Sequence, residues 1–115
     1  MAPVKYRNKA GLIMNYLYSE KEKNQVIMNF MKDGRVIHIP SKEKKKYILL
    51  HDFIKELDKE RIYTEQEINT ELLKRYSASD YVEQRRYLIT FGLLKRTADG
   101  AQYWLNPANH QSIEE

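Results

Sequence analysis

The stretch ITFGLLKRTADGAQYWL, from Ile89 to Leu105, constrains the fold more than any other part of the sequence. Its helical spacing of apolar residues stops at Gly92, and glycine commonly ends helices. Two β-type runs follow, Leu93–Thr97 and Ala101–Leu105, and between them lies Asp99-Gly100, a dipeptide typical of tight hairpins. The stretch therefore predicts a helix, a basic strand, a turn and an aromatic strand.

Three amphipathic helices are predicted before this hairpin. The first spans Ser41–Leu57, with Ser41 as its cap. The second opens at the capping box Thr64–Glu67, and the third runs from Ser79, its cap, to the glycine stop. The residues RIY at 61–63 predict a very short strand between the first two helices. The order helix, strand, helix, helix, strand, turn, strand is typical of a winged helix-turn-helix.

The first third of the chain has helical character, with apolar residues recurring at helical spacing. The polar run at 19–25 is either a turn or one exposed stretch of a longer helix. Gly34 is predicted as the C-terminal cap of this region, followed by a short strand ending at Pro40. The predicted class is mainly α (α+β), divided into a helical extension at 1–33, a winged helix-turn-helix at 34–105 and a flexible tail at 106–115.

Composition excludes several functional classes. The chain has 115 residues, enough for one domain, and no cysteine, so disulfides, thiol catalysis and cysteine-ligated metals are excluded. Its three histidines, His38, His51 and His110, lack the spacing of a metal site. No glycine-rich phosphate loop or serine triad is recognisable. We therefore expect no cofactor and no enzymatic activity. No apolar run is long enough to cross a membrane, so a cytoplasmic protein is expected.

The third predicted helix offers a surface for recognising a partner. At 100° per residue, Arg85 falls inside the apolar stripe, where it is expected to pair with Glu67 or Glu71 of the neighbouring helix. The remaining polar residues are expected to face outward. If this helix enters a DNA major groove, the candidate contacts are Ser79, Glu83, Gln84, Arg86, Tyr87 and Thr90.

Basic residues elsewhere are candidates for holding a nucleic-acid backbone. They are the hairpin residues Lys95 and Arg96 and the lysines of the first helix, Lys42, Lys44, Lys45 and Lys46. Five or six phosphate contacts predict a log–log salt slope of about −4 to −5. A short lysine run is also typical of a solvated helix face, and the net charge of +4 is modest.

The N-terminal segment carries more apolar surface than a solvated arm needs, including Tyr6, Tyr16 and Tyr18. Packing against the rest of the chain is one explanation. A homodimer through residues 5–31 is the other, and it is favoured because a lone winged helix reads few base pairs.

From Phe30 to Leu105 the chain resembles a bacterial family of winged-helix-like domains of unknown function. The resemblance rests on five blocks that follow in order: FMKDGRVIHIPSKEKKKYILL, YTEQEIN, LLKRY, RRYLITFGLLKR and DGAQYW. Members of that family are often fused to ArsR-type helix-turn-helix domains, which implies a role in transcription. Because that family has no established catalytic or metal-binding residues, the resemblance implies none at particular positions of this chain. The segment before Phe30 is too short for an ArsR domain, so this copy either binds DNA itself or serves as an interaction module.

Two functional hypotheses follow. The first is a small cytoplasmic transcription regulator of bacterial or phage type that binds double-stranded DNA, with the third helix in the major groove and the hairpin on the backbone. The second is a non-enzymatic module that binds another protein through the same helix. Asp80, Glu83 and the modest net charge favour the second hypothesis.

Overall fold

The computed structural model describes residues 16–109. Tyr6, His110, part of the predicted 5–31 dimer segment and most of the predicted tail lie outside the described residues. Within the described range the protein is an α+β structure with four α-helices and two small antiparallel sheets. The elements are α1 (Glu20–Phe30), β1 (Met31–Lys32), β2 (Arg35–Val36), α2 (Glu43–Phe53), β3 (Tyr63–Thr64), α3 (Glu65–Leu73), α4 (Tyr81–Thr90), β4 (Leu94–Arg96) and β5 (Gln102–Leu105).

The order predicted from residue 41 onward is confirmed, with small shifts at the ends. The first helix is shorter than predicted, because α2 ends at Phe53 and a 3-10 turn, Ile54–Glu56, follows it. The predicted cap Ser41 is wrong: the cap position is Lys42, whose side chain makes no capping hydrogen bond. No helix of residues 16–109 is long and apolar enough to span a membrane.

The N-terminal region differs more from the prediction. The polar run at 19–25 is helical, since Ser19 caps α1 by accepting from the backbone N–H of Glu22 at 3.0 Å. Gly34 is not a helix cap, because α1 ends at Phe30. Asp33 and Gly34, with φ of 53° and 82°, instead form the turn of the β1–β2 hairpin. Asp-Gly suits such a turn because both central residues need a positive φ.

The second sheet has the order β3-β5-β4. Tyr63 pairs with Tyr103, and Leu94 pairs with Leu105, so the strand before α3 is joined to the hairpin after α4. The predicted turn is confirmed at Gly100, which has a φ of 76°. Because β3 pairs with β5, the two ends of the segment that contains α3 and α4 are joined in one sheet.

One hydrophobic core joins the three helices α2, α3 and α4 to this sheet. Its fully buried hydrophobic members come from these elements and the residues next to them: Tyr47, Ile48, Leu49, Leu50, Ile68, Leu72, Tyr76, Leu88, Phe91, Leu93 and Leu94. The four consecutive buried residues of α2 make it the central helix, because a helix buried on all sides must be surrounded by partners.

The aromatic residues before α1 pack on this core. The rings of Tyr16 and Tyr18 lie 5.2 and 6.3 Å from that of Tyr47, centroid to centroid. The Tyr18 hydroxyl also forms a short hydrogen bond with Nδ1 of His51. Of the two explanations for these aromatic residues, packing within the chain is therefore the one observed for Tyr16 and Tyr18.

His51 is held neutral by this packing. Burial lowers its pKa to about 4, with the positive charges of Lys55 and Lys23 acting in the same direction and Asp52 opposing them. Burial also raises the pKa of Tyr18. A neutral imidazole has one nitrogen that can accept a hydrogen bond, and a protonated phenol can donate one, so both shifts favour the Tyr18–His51 hydrogen bond.

The depressed pKa of His51 predicts acid sensitivity. Below the ordinary pKa of 6.5 the unfolded chain binds a proton that the folded chain does not, so stability falls as the pH falls towards 4. Between pH 7 and 5 we expect His51 to contribute a loss of about 2 kcal/mol in the free energy of unfolding. Urea unfolding of His51→Gln should lack this component, and the exposed control His38→Gln should retain it. An equal pH dependence in both variants would contradict the assignment.

The capping box at the start of α3 gives a second prediction. Thr64 Oγ1 accepts from the Glu67 N–H at 3.0 Å, and Glu67 Oε1 accepts from the Thr64 N–H at 2.9 Å. Thr64→Ala should lower the free energy of unfolding by about 1 kcal/mol. Thr70→Ala, an exposed change within the same helix, should alter it by less than about 0.5 kcal/mol. Equal urea midpoints for the two variants would show that the box does not stabilise α3.

Candidate nucleic-acid interface

The outward face of α4 contains most of the residues expected there. Glu83, Arg86 and Thr90 are exposed, and Tyr87 is half-buried. Ser79 is exposed in the turn before the helix, but it is not the predicted N-terminal cap. The cap position is Asp80, whose side chain makes no capping hydrogen bond. Ser79 and Asp80 instead interact with Ser77, whose hydroxyl donates to the Asp80 carboxylate at 2.9 Å.

Gln84 does not belong to this face. Its side chain is 1 % exposed, and its Nε2 has no hydrogen-bond partner among residues 16–109, so the prediction that it contacts a base edge from this position is wrong. Gln84 lies one turn before Leu88 and two turns before Phe91, both fully buried. Its spacing therefore indicates the core side, although its polar side chain suggested the surface. Val82, an apolar residue of the same helix, is 40 % exposed.

Arg85 is a structural residue, as expected, but its partners differ from those predicted. Its Nη1 donates to Asn69 Oδ1 at 2.6 Å, and its Nη2 lies 3.6 Å from Glu65 Oε2. Glu67 instead pairs with Arg61 at 3.0 Å, and Glu71 with Lys74 at 3.2 Å. Arg85 of α4 therefore meets α3 nearer the N-terminus of α3 than the predicted partners Glu67 and Glu71 implied.

The three lysines of α2 have partners within the chain, and only the candidate Lys42 precedes the helix, at its cap position. Lys44 forms an ion pair with Glu22 of α1 at 3.1 Å. Lys45 lies 5.7 Å from the ring centre of Phe30. Lys46 lies 5.1 Å from the ring centre of Tyr87 and donates to its hydroxyl at 3.4 Å. Lys42, at the start of the helix, is exposed.

The contact between Lys46 and Tyr87 brings the start of α2 beside the exposed side of α4. The ring of Tyr87 also stacks on Phe91, with centroids 5.3 Å apart and planes 20° apart. Lys46 and Tyr87 therefore hold α2 and α4 together at the surface. Arg86, which precedes Tyr87 in α4, is exposed and extends the basic character of this region.

The two basic residues of the β4–β5 hairpin lie on opposite faces of the sheet. Lys95 pairs with Trp104 and Arg96 with Tyr103, and successive strand residues point to opposite sides. Arg96 follows the side of the buried Leu94, towards the start of α3. A Cβ placed on Gly100 would lie 3.1 Å from Arg96 Nη1 and 3.5 Å from Glu65 Oε1.

Glu65 at the start of α3 is a charged residue whose role the sequence did not reveal. It lies beside Arg85 of α4, and it accepts a hydrogen bond from the Tyr103 hydroxyl at 3.2 Å. Burial, followed by the charge of Glu65, raises the pKa of Tyr103. The partners of Glu65 lie in α4 and β5, far along the chain, so no pattern of neighbouring residues could indicate them.

The turn between β4 and β5 contains an acidic residue, Asp99, and no basic one. Asp99 accepts from Thr97 Oγ1 at 2.8 Å and from the Ala101 N–H at 2.9 Å. The Ala101 hydrogen bond is the main cause of the lowered pKa of Asp99. Of the twelve candidate contact residues, those left exposed and basic are Lys42, Arg86, Lys95 and Arg96.

Among residues 16–109, no group of three or more His, Asp or Glu side chains is arranged to hold a metal ion. Residues 35–105 match the family model described as "Uncharacterized protein conserved in bacteria (DUF2087)", and the chain belongs to this bacterial family. No curated protein and no solved structure matches the chain significantly. The expected resemblance to a bacterial family of unknown function is thus confirmed.

The burial of Gln84 generates a stability prediction. A buried amide without a partner is costly, and an apolar side chain of similar length needs none. Gln84→Met should raise the free energy of unfolding by about 1 kcal/mol. Gln66→Met, at an exposed position of α3, should change it by less than about 0.5 kcal/mol. Denaturant unfolding compares the two, and a Gln84→Met protein no more stable than the wild type would contradict the placement.

Proposed function

We propose that this member of the DUF2087 family is a DNA-binding transcription regulator built on a winged helix-turn-helix. The observation that carries the proposal is the order of elements together with the sheet order β3-β5-β4. A helix, a short strand, two further helices and a hairpin, with the first strand paired to the last, is the arrangement expected of a winged helix. In such a fold α4 is the recognition helix and β4–β5 is the wing.

The exposed residues of α4 support binding in a major groove. Arg86 is suited to guanine or to a phosphate, and Thr90 is exposed one turn later. Tyr87, with its ring stacked and its hydroxyl near Lys46, is suited to a phosphate rather than to a base edge. Glu83 can accept a hydrogen bond from cytosine. Ser79, exposed at the start of α4, completes the proposed contacts.

The backbone contacts in this proposal are fewer than the sequence suggested. Lys44 and Lys45 are occupied by Glu22 and Phe30, and Arg96 lies beside Glu65. The exposed Lys42, Arg86 and Lys95 remain as proposed phosphate contacts, with Lys46 as a fourth beside the Tyr87 hydroxyl to which it donates. Three or four contacts predict a log–log salt slope of about −3 to −4. The protein is proposed to act in the cytoplasm without catalysis or a cofactor.

A homodimer through residues 5–31 is a further part of the proposal, because it would present two recognition helices to a two-fold site. Met28, 74 % exposed on α1, supports it. Tyr16 and Tyr18 do not, since they pack on their own chain.

A protein-binding module is the second candidate function. It is favoured by the exposed Val82 beside Glu83 on α4, and by Leu73, 38 % exposed at the end of α3. Exposed apolar side chains next to a carboxylate suit a protein partner better than a phosphate backbone.

Fluorescence anisotropy with a mixed-sequence DNA duplex tests the proposal. Affinity should fall about 100-fold between about 50 and 200 mM salt. Arg86→Ala and Lys95→Ala should each weaken binding and reduce the salt slope by about 0.9, because each removes one phosphate contact. The exposed Lys59, in the loop before β3, provides the charge-matched control Lys59→Ala, which should bind as the wild type does.

Absence of binding at about 50 mM salt would overturn the direct DNA-binding role and favour the protein-binding candidate. An equal loss of affinity in Lys59→Ala and Arg86→Ala would show a diffuse charge effect rather than the proposed interface.

A further inference from the structure

The end of α3 has backbone carbonyls that its own helix does not satisfy. A helix leaves its last carbonyls without intrahelical donors. Here the carbonyls of Glu71 and Leu72 receive the N–H groups of residues 74–76, which leaves the carbonyls of residues 73–76 to other donors. The last turn of α3 contains no basic residue that could help to satisfy them.

The β1–β2 hairpin supplies all four missing donors. Arg35 Nη1 donates to the carbonyls of Leu73 and Lys74 at 3.0 and 3.1 Å, and Nη2 donates to that of Tyr76 at 3.2 Å. The N–H of Val36 donates to the carbonyl of residue 75 at 2.8 Å. The guanidinium also places a positive charge at the negative end of the helix dipole. We call this set of four hydrogen bonds the hairpin clamp.

The same segment is tied to α2 on its other side. The Arg75 guanidinium lies 2.9 Å from Asp52 and 3.3 Å from Glu56, and it is close to the ring of Phe53. Asp52 also pairs with Lys23 of α1 at 3.4 Å. Asp52 and Glu56 are therefore both engaged with residues of the same chain. The end of α3 is held between the hairpin and α2.

The recognition helix begins directly after this segment. The carbonyl of Ser77 receives the N–H groups of Asp80 and Tyr81, so the first turn of α4 is built on the residue that follows the hairpin clamp. A change in the path of residues 73–76 would therefore change the origin and direction of α4.

We propose that Arg35 is a positioning residue for α4: by holding the carbonyls at the end of α3, it fixes the orientation in which α4 is presented to DNA. This inference rests on the proposed function for its effect on DNA, but the effect on the α3–α4 segment is independent of it. Arg35 faces carbonyl groups of its own chain, so it acts through α4 and not through a phosphate contact.

Amide hydrogen exchange tests the structural part, with the full chain folded in every sample. In Arg35→Ala the amides of Tyr76, Asp80 and Tyr81 should exchange about 10-fold faster, because the end of α3 opens more often. The amides of the β3–β5 pair should be unchanged. Lys32→Ala removes the same charge from the residue paired with Arg35 in the hairpin and should exchange as the wild type does.

If Arg35→Ala does not fold, Arg35→Lys keeps the charge but has one donor group in place of a planar guanidinium, and it should accelerate the same amides to a smaller extent. Exchange in the Arg35 variant equal to that in Lys32→Ala throughout residues 74–81 would overturn the proposal.

Duplex binding tests the positioning part. Arg35→Ala should weaken binding about 10-fold with an unchanged salt slope. A slope reduced by about 0.9 would indicate a direct phosphate contact and overturn positioning, as would unchanged affinity despite faster exchange. Failure of the wild type to bind DNA would refute the proposed function alone, since the exchange experiment would still decide whether the hairpin clamp holds the segment.

Discussion

The shared core of α2, α3 and α4 is the constraint on which the other features depend. The helices of residues 16–109 have 9 to 11 residues each, and helices of that length are marginal in water when isolated. Each must therefore be held by packing, and Leu50, Leu72 and Leu88, all fully buried, bring the three together. Once α4 has buried the side containing Gln84 and Leu88, its opposite side, with Glu83 and Arg86, must face solvent. The candidate interface is thus a consequence of the core.

The same packing determines which charges remain for a partner. Asp52 and Arg75 neutralise each other between α2 and the end of α3, and Glu65 lies beside both Arg85 and Arg96. The modest net charge of +4 is therefore not distributed evenly over the surface. Half-buried pairs stabilise the arrangement of the helices, and a small set of exposed basic residues is left for the proposed phosphate contacts.

Local signals in the sequence predicted the elements well. Thr64 and Glu67 satisfy each other across three residues, and Asp99-Gly100 closes its own hairpin, so both follow from neighbouring residues. Gly34 was misplaced because a glycine with positive φ serves equally as a helix cap and as a hairpin turn. Arg35 has no local signal, since its acceptors lie 38 to 41 residues away. For Gln84, the helical spacing to Leu88 and Phe91 indicated the core, whereas its polar side chain indicated the surface. The side chain lies in the core, so the spacing was the better guide.

Backbone chemical-shift mapping during titration with a DNA duplex at low salt tests the central claim most directly, because it reports every amide of the folded chain at once. We expect changes concentrated in residues 79–90 and in the β4–β5 hairpin, with smaller changes at the start of α2. Changes confined to other surfaces, or no changes while the protein remains folded, would contradict the assignment of α4 as the surface that meets DNA.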